Sequence, residues 1–263
     1  MIFIKKGVSF LRNKLYGFIF TYKQGTLYKK KIRNANTFRQ ALFDQTDTLY
    51  IFEFIEGYKI AARGRDLGGV SEVCLLEDYT KNIPVVPGMI VYDIGSCIGD
   101  FAVLAAFRGA EVIAIEPDKD NYEILLKNIA LNNLTDKITP LNIAVDAAIG
   151  WVGFSNSELN TGGHTLAEHA DFQVPAQTLT SIMDTHNHSK VDLVKIDIEG
   201  GEYRVFSNKE TAGLSRIQTI VGEYHLDIYK SQYAWATLKR ALSKDFARIR
   251  RRRPYYFEAH KSC

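Results

Sequence analysis

Val91-Tyr-Asp-Ile-Gly-Ser-Cys-Ile-Gly-Asp100 is the stretch that decides the fold. It continues an apolar run, Met89-Ile-Val-Tyr-Asp-Ile, with the composition of a strand buried on both faces of a parallel sheet. Gly95 then lets the chain turn tightly and approach a neighbour without a Cβ clash, and Gly99 stands near the start of a helix expected over 101–108. Downstream, Glu111-Val-Ile-Ala-Ile reads as a second strand and 121–132 as a helix with Tyr122, Leu125 and Ile129 on one stripe. Residues 138–145, 191–197 and 217–223 read as third, fourth and fifth strands. Strands alternating with helical stretches predict an α/β fold, a Rossmann-like doubly wound and mostly parallel sheet covered on both faces.

Upstream, Leu49-Tyr-Ile-Phe-Glu-Phe and Tyr58-Lys-Ile-Ala-Ala read as strands, and the strand reading extends over 50–80 between Gly57, Gly64, Gly68 and Gly69. Phe3, Phe10, Leu11, Leu15 and Phe18 recur near helical spacing, which predicts a short amphipathic helix. The chain therefore divides into a basic, aromatic N-terminal extension with lead-in strands, 1–70, and a main domain, 71–263. That domain carries an insert, 150–190, and a basic C-terminal segment, 248–263. The insert holds Gly162-Gly163, Pro175 and four histidines and is expected to form extra strands or a lid that carries His164.

Composition excludes several classes. An apolar fraction of 46% and a charged fraction of 24% describe a globular chain rather than a disordered one. Cys74, Cys97 and Cys263 are odd in number and form no CxxC pair, which argues against a disulfide framework or zinc ribbon and for a reducing cytoplasm. No apolar run reaches the roughly 18–20 residues of a membrane span. The first 40 residues carry ten Lys/Arg and no Asp or Glu, leaving 23 basic against 30 acidic residues beyond them. Such an arm points to an anionic partner, and its aromatic residues allow peripheral membrane contact. Arg248-Ile-Arg-Arg-Arg-Arg-Pro-Tyr-Tyr-Phe interleaves cations with aromatics, as nucleic-acid binders do, although a plain basic edge explains it as well.

The glycine spacing in 95–99 is GxxxG. It lacks the GxGxxG pattern that seats a dinucleotide pyrophosphate on a helix N-terminus, which disfavours a nicotinamide dehydrogenase. A cofactor made of an adenosine and an amino-acid tail fits better. Glu116, 23 residues after Asp93 at the end of the second strand, suits the two ribose hydroxyls. Asp93 and Asp146 lie at strand ends on the same rim.

With these residues in hand, the chain resembles the FkbM family of class I S-adenosylmethionine-dependent methyltransferases. The resemblance rests on VYDIGSCIGDFAVLAA, AIEPDKDNYEILLKNIALNN, NIAVDAAIGWVGF, VDLVKIDIEGGEYRVF and IVGEYH, with VCLLEDYT as lead-in, and covers about residues 70–225. It implies transfer of a methyl group, usually to oxygen, from S-adenosylmethionine to a hydroxylated glycan, lipid or natural-product acceptor. It also implies that Asp93, Gly95, Ser96, Cys97 and Gly99 line the methionine end of the cofactor, that Glu116 holds the ribose and that Asp146 approaches the adenine. Similar proteins carry glycine-alanine-asparagine where this chain has Gly95-Ser96-Cys97. They commonly read Leu-Asp-Asp where it has Leu179-Thr180-Ser181, so no acid is carried over there.

A hydroxyl acceptor must lose a proton to a nearby Asp, Glu or His. Asp197, Glu199, Glu223 and His225 follow the fourth and fifth strands on the rim of the glycine turn, and they are the catalytic candidates, with Glu199 or His225 as base. Asp197, Glu223 and His225 also make an oxygen/nitrogen set suited to a divalent ion, but the sequence fixes no ligand spacing, and no metal is assigned. The competing readings are an RNA methyltransferase using the basic termini and a cofactor-binding module without turnover.

Overall fold

The computed structural model describes residues 27–44, 46–156, 164–166, 172–198, 200–207, 209–225, 234–252 and 256–262. The expected helix over 3–18 lies outside them, as does Glu199; of His164 only the backbone is described. In chain order come helices α1 (Leu27–Lys31) and α2 (Ala35–Ala41), then a hairpin, β1 (Leu49–Glu53) and β2 (Lys59–Arg63), and the helical turn α3 (Leu67–Val70). The core elements follow: β3 (Ile90–Ile94), α4 (Asp100–Phe107), β4 (Glu111–Ile115), α5 (Lys119–Leu131) and β5 (Ile138–Leu141). An accessory sheet takes β6 (Ala144–Val145), β7 (Gly150–Asn156), β8 (His164–Leu166) and β9 (Phe172–Gln177). The chain then returns through α6 (Leu179–Thr185), β10 (Val191–Ile196), α7 (Glu202–Ser207), α8 (Lys209–Ala212), β11 (Ile217–Glu223), α9 (Ala234–Leu242), β12 (Arg248–Arg251) and β13 (Tyr256–His260).

The main sheet runs β12-β13-β11-β10-β3-β4-β5. Its five strands from β11 to β5 are parallel, and β12 and β13 are antiparallel. Side chains alternate between two cores, as the period of two requires. Val112 and Ala114 face the layer of α4, α5 and the N-terminal hairpin; Ile113 and Ile115 face α6, α7 and α9. Helix α4 is buried from Asp100 to Ala106, which is why it is apolar all round. Helix α5 starts where the Asp118 carboxylate accepts from the Asn121 amide at 2.8 Å, and α6 starts where the Thr178 hydroxyl accepts from the Ser181 amide at 3.1 Å. The cap at Thr178 gives Leu179-Thr180-Ser181 a structural role.

The doubly wound sheet expected from the strand–helix alternation is present. Two local expectations are overturned. Residues 64–75 are helical rather than extended, because the Asp66 carboxylate accepts the Arg63 amide at 2.9 Å and closes a turn directly after β2. The strand expected over 138–145 is two strands in two sheets: Asn142 donates to the carbonyls of Glu116 and Pro117, and the chain leaves the main sheet to pair β6 with β9. The insert's described residues form β7, β8 and β9 of that accessory sheet and then α6, and Arg248–Arg251 become the outermost strand, where exposed cations discourage further pairing. Among the described residues, no helix is long and apolar enough to cross a membrane.

The hairpin shares a core with α4 and α5 and is joined to α5 by two asparagines. The fully buried Asn128 accepts from the Ala61 amide at 2.6 Å and donates to the carbonyls of Ala61 and Ile98 at 2.9 and 2.8 Å. One turn on, Asn132 makes the same paired bonds to Lys59, both at 2.7 Å. Together they satisfy the edge of β2 that β1 leaves open. Asn128→Ala strands three buried backbone groups at about 1–3 kcal/mol each. Its midpoint in a thermal melt is expected to fall by at least about 5 °C; a shift within about 2 °C would contradict this role.

Candidate active site

Parallel register brings four strand ends level. Ile94 pairs with Ile115 on one side and Ile196 on the other, and Ile196 pairs with Gly222. Gly95, Glu116, Asp197 and Glu223 therefore emerge on one rim, at the point where the chain winds outward in both directions from β3. In open α/β sheets this switch point is the ligand crevice.

The turn after β3 is fixed from three sides. Gly95 has φ 76°, and a Cβ there would stand 1.9 Å from the carbonyl oxygen of Asp197. Gly99, at φ 80°, leaves a gap that the Leu125 side chain fills, with its Cδ1 2.3 Å from where a Cβ would be. The Gly95 and Ser96 amides both donate to the Ile115 carbonyl, and the Ser96 hydroxyl donates to the Asp93 carbonyl. Lys195, buried in β10, donates to the Gly95 carbonyl at 2.7 Å and stands 3.2 Å from the Asp93 carboxylate. Burial lowers the Lys195 pKa, but Asp93, Asp197 and Asp100 outweigh it and leave the ammonium more basic than usual.

Glu116 reaches back to this turn. One carboxylate oxygen accepts from the Cys97 amide at 2.8 Å and the other from the Asp118 amide at 2.9 Å. An ionised carboxylate has about four acceptor positions, so capacity remains for two further donors. Burial pushes the Glu116 pKa up to about 8, against the lowering effect of the two amides. A cavity of about 310 Å³ opens here, bounded by the turn, by Glu116, by Asp197 and Glu223, and by Tyr79.

At the far wall, the Tyr79 hydroxyl donates to Asp197 at 3.0 Å and to Glu223 at 3.3 Å. Burial raises the Asp197 pKa, an effect that Lys195 opposes and Glu223 reinforces. Burial also acts to raise that of Glu223, but hydrogen bonds from His225 and Tyr256 more than offset it, and the net direction is down. His225 Nδ1 is 3.0 Å from Glu202, whose carboxylate is fully buried and also accepts from the Gly200 and Ile198 amides. Burial disfavours the charged ring, yet Glu202, Glu223 and Asp197 push its pKa up to about 12, so in this arrangement His225 carries a proton rather than takes one.

Most residues singled out in the sequence converge on this cavity. Gly95, Ser96, Cys97, Glu116, Asp197 and Glu223 line it, Asp93 and Gly99 lie behind the turn, and His225 stands beside Asp197 and Glu223. Asp146 follows the lining residues Ile143–Val145 but does not line the cavity, and it pairs with Arg204. Sequence reasoning missed Glu202, Lys195, Tyr79 and Tyr256. A lysine within the apolar strand Val191–Ile196 and a second glutamate in Glu199-Gly-Gly-Glu202 were readable signals; nothing local marks Tyr79.

The chain has counterparts among known proteins. The Methyltransferase FkbM domain matches residues 93–256, more than half of the chain. The chain belongs to the FkbM methyltransferase family. It is 23% identical to the hexuronic acid methyltransferase AglP of Haloferax volcanii, over 72% of this chain and 76% of that protein. It is 25% identical to the 31-O-demethyl-FK506 methyltransferase FkbM of Streptomyces tacrolimicus, over 53% of this chain and 66% of that one. The crystal structure of an FkbM methyltransferase from Methylobacillus flagellatus is similar over 87% of this chain and 59% of its own length, at 16% identity and a TM-score of 0.48.

Burial raises the pKa of three acids lining this cavity, Glu116 to about 8 and Asp100 and Glu72 to about 7. A carboxyl pKa raised in the fold stabilises it fully below the unfolded value and loses that contribution as pH rises through the folded one. The ligand-free protein is expected to melt at least about 5 °C lower at pH 8.5 than at pH 6, with Glu116→Gln flattening the slope. An unchanged slope in Glu116→Gln would contradict the assignment to Glu116.

Proposed function

We propose that the chain is an S-adenosylmethionine-dependent O-methyltransferase acting on a hydroxyl of a glycan, of the acidic sugar class. The observation that carries this reading is Glu116: a buried carboxylate, held by the turn it faces, with acceptor capacity left toward the cavity. The donor set around that cavity suits the proposed cofactor. Glu116 offers acceptors to two ribose hydroxyls, Ile115 and Ile143–Val145 offer apolar walls to an adenine, and the Gly95–Cys97 backbone and Lys195 surround the amino-acid end. Asp93 and Gly99 act from behind, by fixing the turn, and Asp146 supports the adenine side at one remove.

When bound, S-adenosylmethionine would supply a methyl carbon on a sulfonium for in-line transfer to an oxygen, with the thioether as the leaving group. The residues of the chain have the remaining tasks. Asp197 and Glu223, with Glu199 two residues past Asp197, receive the acceptor hydroxyl and its proton, the charged His225 holds their carboxylates in place, and Tyr79 fixes those two carboxylates relative to each other. Alignment of this kind can contribute several kcal/mol to methyl transfer.

Two facts support an acidic glycan. The relative AglP is named for a hexuronic acid. A polar cleft lined by Asp78, Lys81, Asn82, Arg252 and Tyr256 adjoins the main cavity, because Tyr256 packs 5.4 Å from the ring of the cavity residue Tyr79. Lys81 and Arg252 supply cations for a sugar carboxylate there. With labelled S-adenosylmethionine, the protein is expected to methylate uronate-containing oligosaccharides in preference to neutral ones. Glu116→Ala should weaken donor binding at least about tenfold by calorimetry, the scale of one or two charge-assisted hydrogen bonds. Near-native donor affinity in that variant, or transfer to RNA alone, would overturn the reading.

A further inference from the structure

We propose that Asp197, Glu223 and His225 form a divalent-cation site of the Mg2+ or Mn2+ class, which binds acceptor oxygens beside the methyl-donor cavity. The role in catalysis rests on the function proposed above; the cation site itself rests on the geometry of the three side chains.

They come from neighbouring parallel strands. Asp197 follows β10, Glu223 ends β11 and His225 lies two residues on, so register alone gathers them. One ligand atom from each lies within 4.8 Å of the others. The imidazole is oriented from behind. Glu202 is fully buried and accepts the amides of Gly200 and Ile198, so its carboxylate cannot turn away, and it faces His225 Nδ1 at 3.0 Å. A carboxylate on the distal nitrogen fixes the ring's orientation and raises the basicity of the other nitrogen, the usual support of a metal-binding histidine, and the cation would take the place of the ring proton on that nitrogen.

That other nitrogen, Nε2, looks at the two remaining carboxylates from 3.5 Å (Glu223 Oε2) and 3.8 Å (Asp197 Oδ1). Both distances are close to the spacing of adjacent ligands around a small cation. Ligands about 2.1 Å from one ion stand about 3 Å apart at right angles, so the imidazole needs to close on each carboxylate by less than about 1 Å.

The ligand set also has a chemistry. Two carboxylates and one imidazole suit Mg2+ or Mn2+ better than soft thiolate-seeking ions, and three protein ligands leave positions open for the acceptor. Asp197 and Glu223 line the cavity that Glu116 also lines, so oxygens held by the cation would face the methyl donor's pocket. A sugar presents such oxygens as neighbouring hydroxyls or as a hydroxyl next to a carboxylate. The cation would lower the pKa of the bound hydroxyl, which is the step a positioned base alone achieves less well.

The test uses the full chain and Mn2+ alone, followed by the electron paramagnetic resonance signal of free Mn2+ and by water-proton relaxation. One saturable site per chain is expected. Glu223→Gln and His225→Gln should each weaken it at least tenfold, while S-adenosylhomocysteine still binds by calorimetry. Bound Mn2+ should broaden the proton resonances of S-adenosylhomocysteine held in the cavity. Absence of saturable Mn2+ binding to the wild-type chain would overturn the site, as would Mn2+ binding untouched by both substitutions. Methyl transfer undiminished in EDTA would overturn the cation's catalytic role and leave the methyltransferase reading standing. Mn2+ binding without any S-adenosylhomocysteine binding would support the cation site while sinking the proposed function.

Discussion

Two main chains pass each other at Gly95 and Asp197 with no room for a methyl group between them, and a third, at Gly222, closes on Ile196 in the same way. This packing of strand ends is the constraint from which the site follows. It draws the turn after β3 over the tip of β10, where Lys195 grips its carbonyl and Glu116 grips its amide. A larger residue at Gly95 would push the turn away from both. The glycine is required by backbone contact with a neighbouring strand, and the cavity is the space left beside that contact.

The charge arrangement is the second level. Lys195 is buried among Asp93, Asp100 and Asp197, and His225 among Asp197, Glu202 and Glu223. Buried charge is costly unless paired and hydrogen-bonded, and one partner removed leaves the others uncompensated. Neither cation is a spare group on the surface. Lys195 secures the side proposed for the methyl donor by holding the turn, whereas His225 sits where acceptor oxygens are proposed to arrive. Tyr79 joins the two sides, with its hydroxyl on Asp197 and Glu223 and its ring 5.5 Å from the Lys195 ammonium.

The sequence made the frame legible where one physical rule acts alone. Val91–Ile94, Val112–Ile115 and Val191–Ile196 are apolar because both faces of a central parallel strand are buried, and the glycine turn and strand-end acids follow at fixed offsets. It was illegible where long-range contacts decide. Residues 138–145 look like one strand, yet Asn142 ties the chain to the Glu116–Pro117 carbonyls and redirects it. Asn128 and Asn132 look like polar residues of an ordinary helix, yet they cap the open edge of β2. Glu202 and Tyr79 acquire meaning only from partners more than twenty residues away in the chain. Asp146, by contrast, was placed by its strand end alone, and its neighbour Arg204 occupies the carboxylate.

The most direct measurement is a crystal structure of the chain with S-adenosylhomocysteine. The account predicts density in the cavity beside the Gly95–Gly99 turn, with both ribose hydroxyls within hydrogen-bonding distance of Glu116 and the sulfur on the side of Asp197 and Glu223. A ligand bound with its ribose away from Glu116, or outside that cavity, would contradict it.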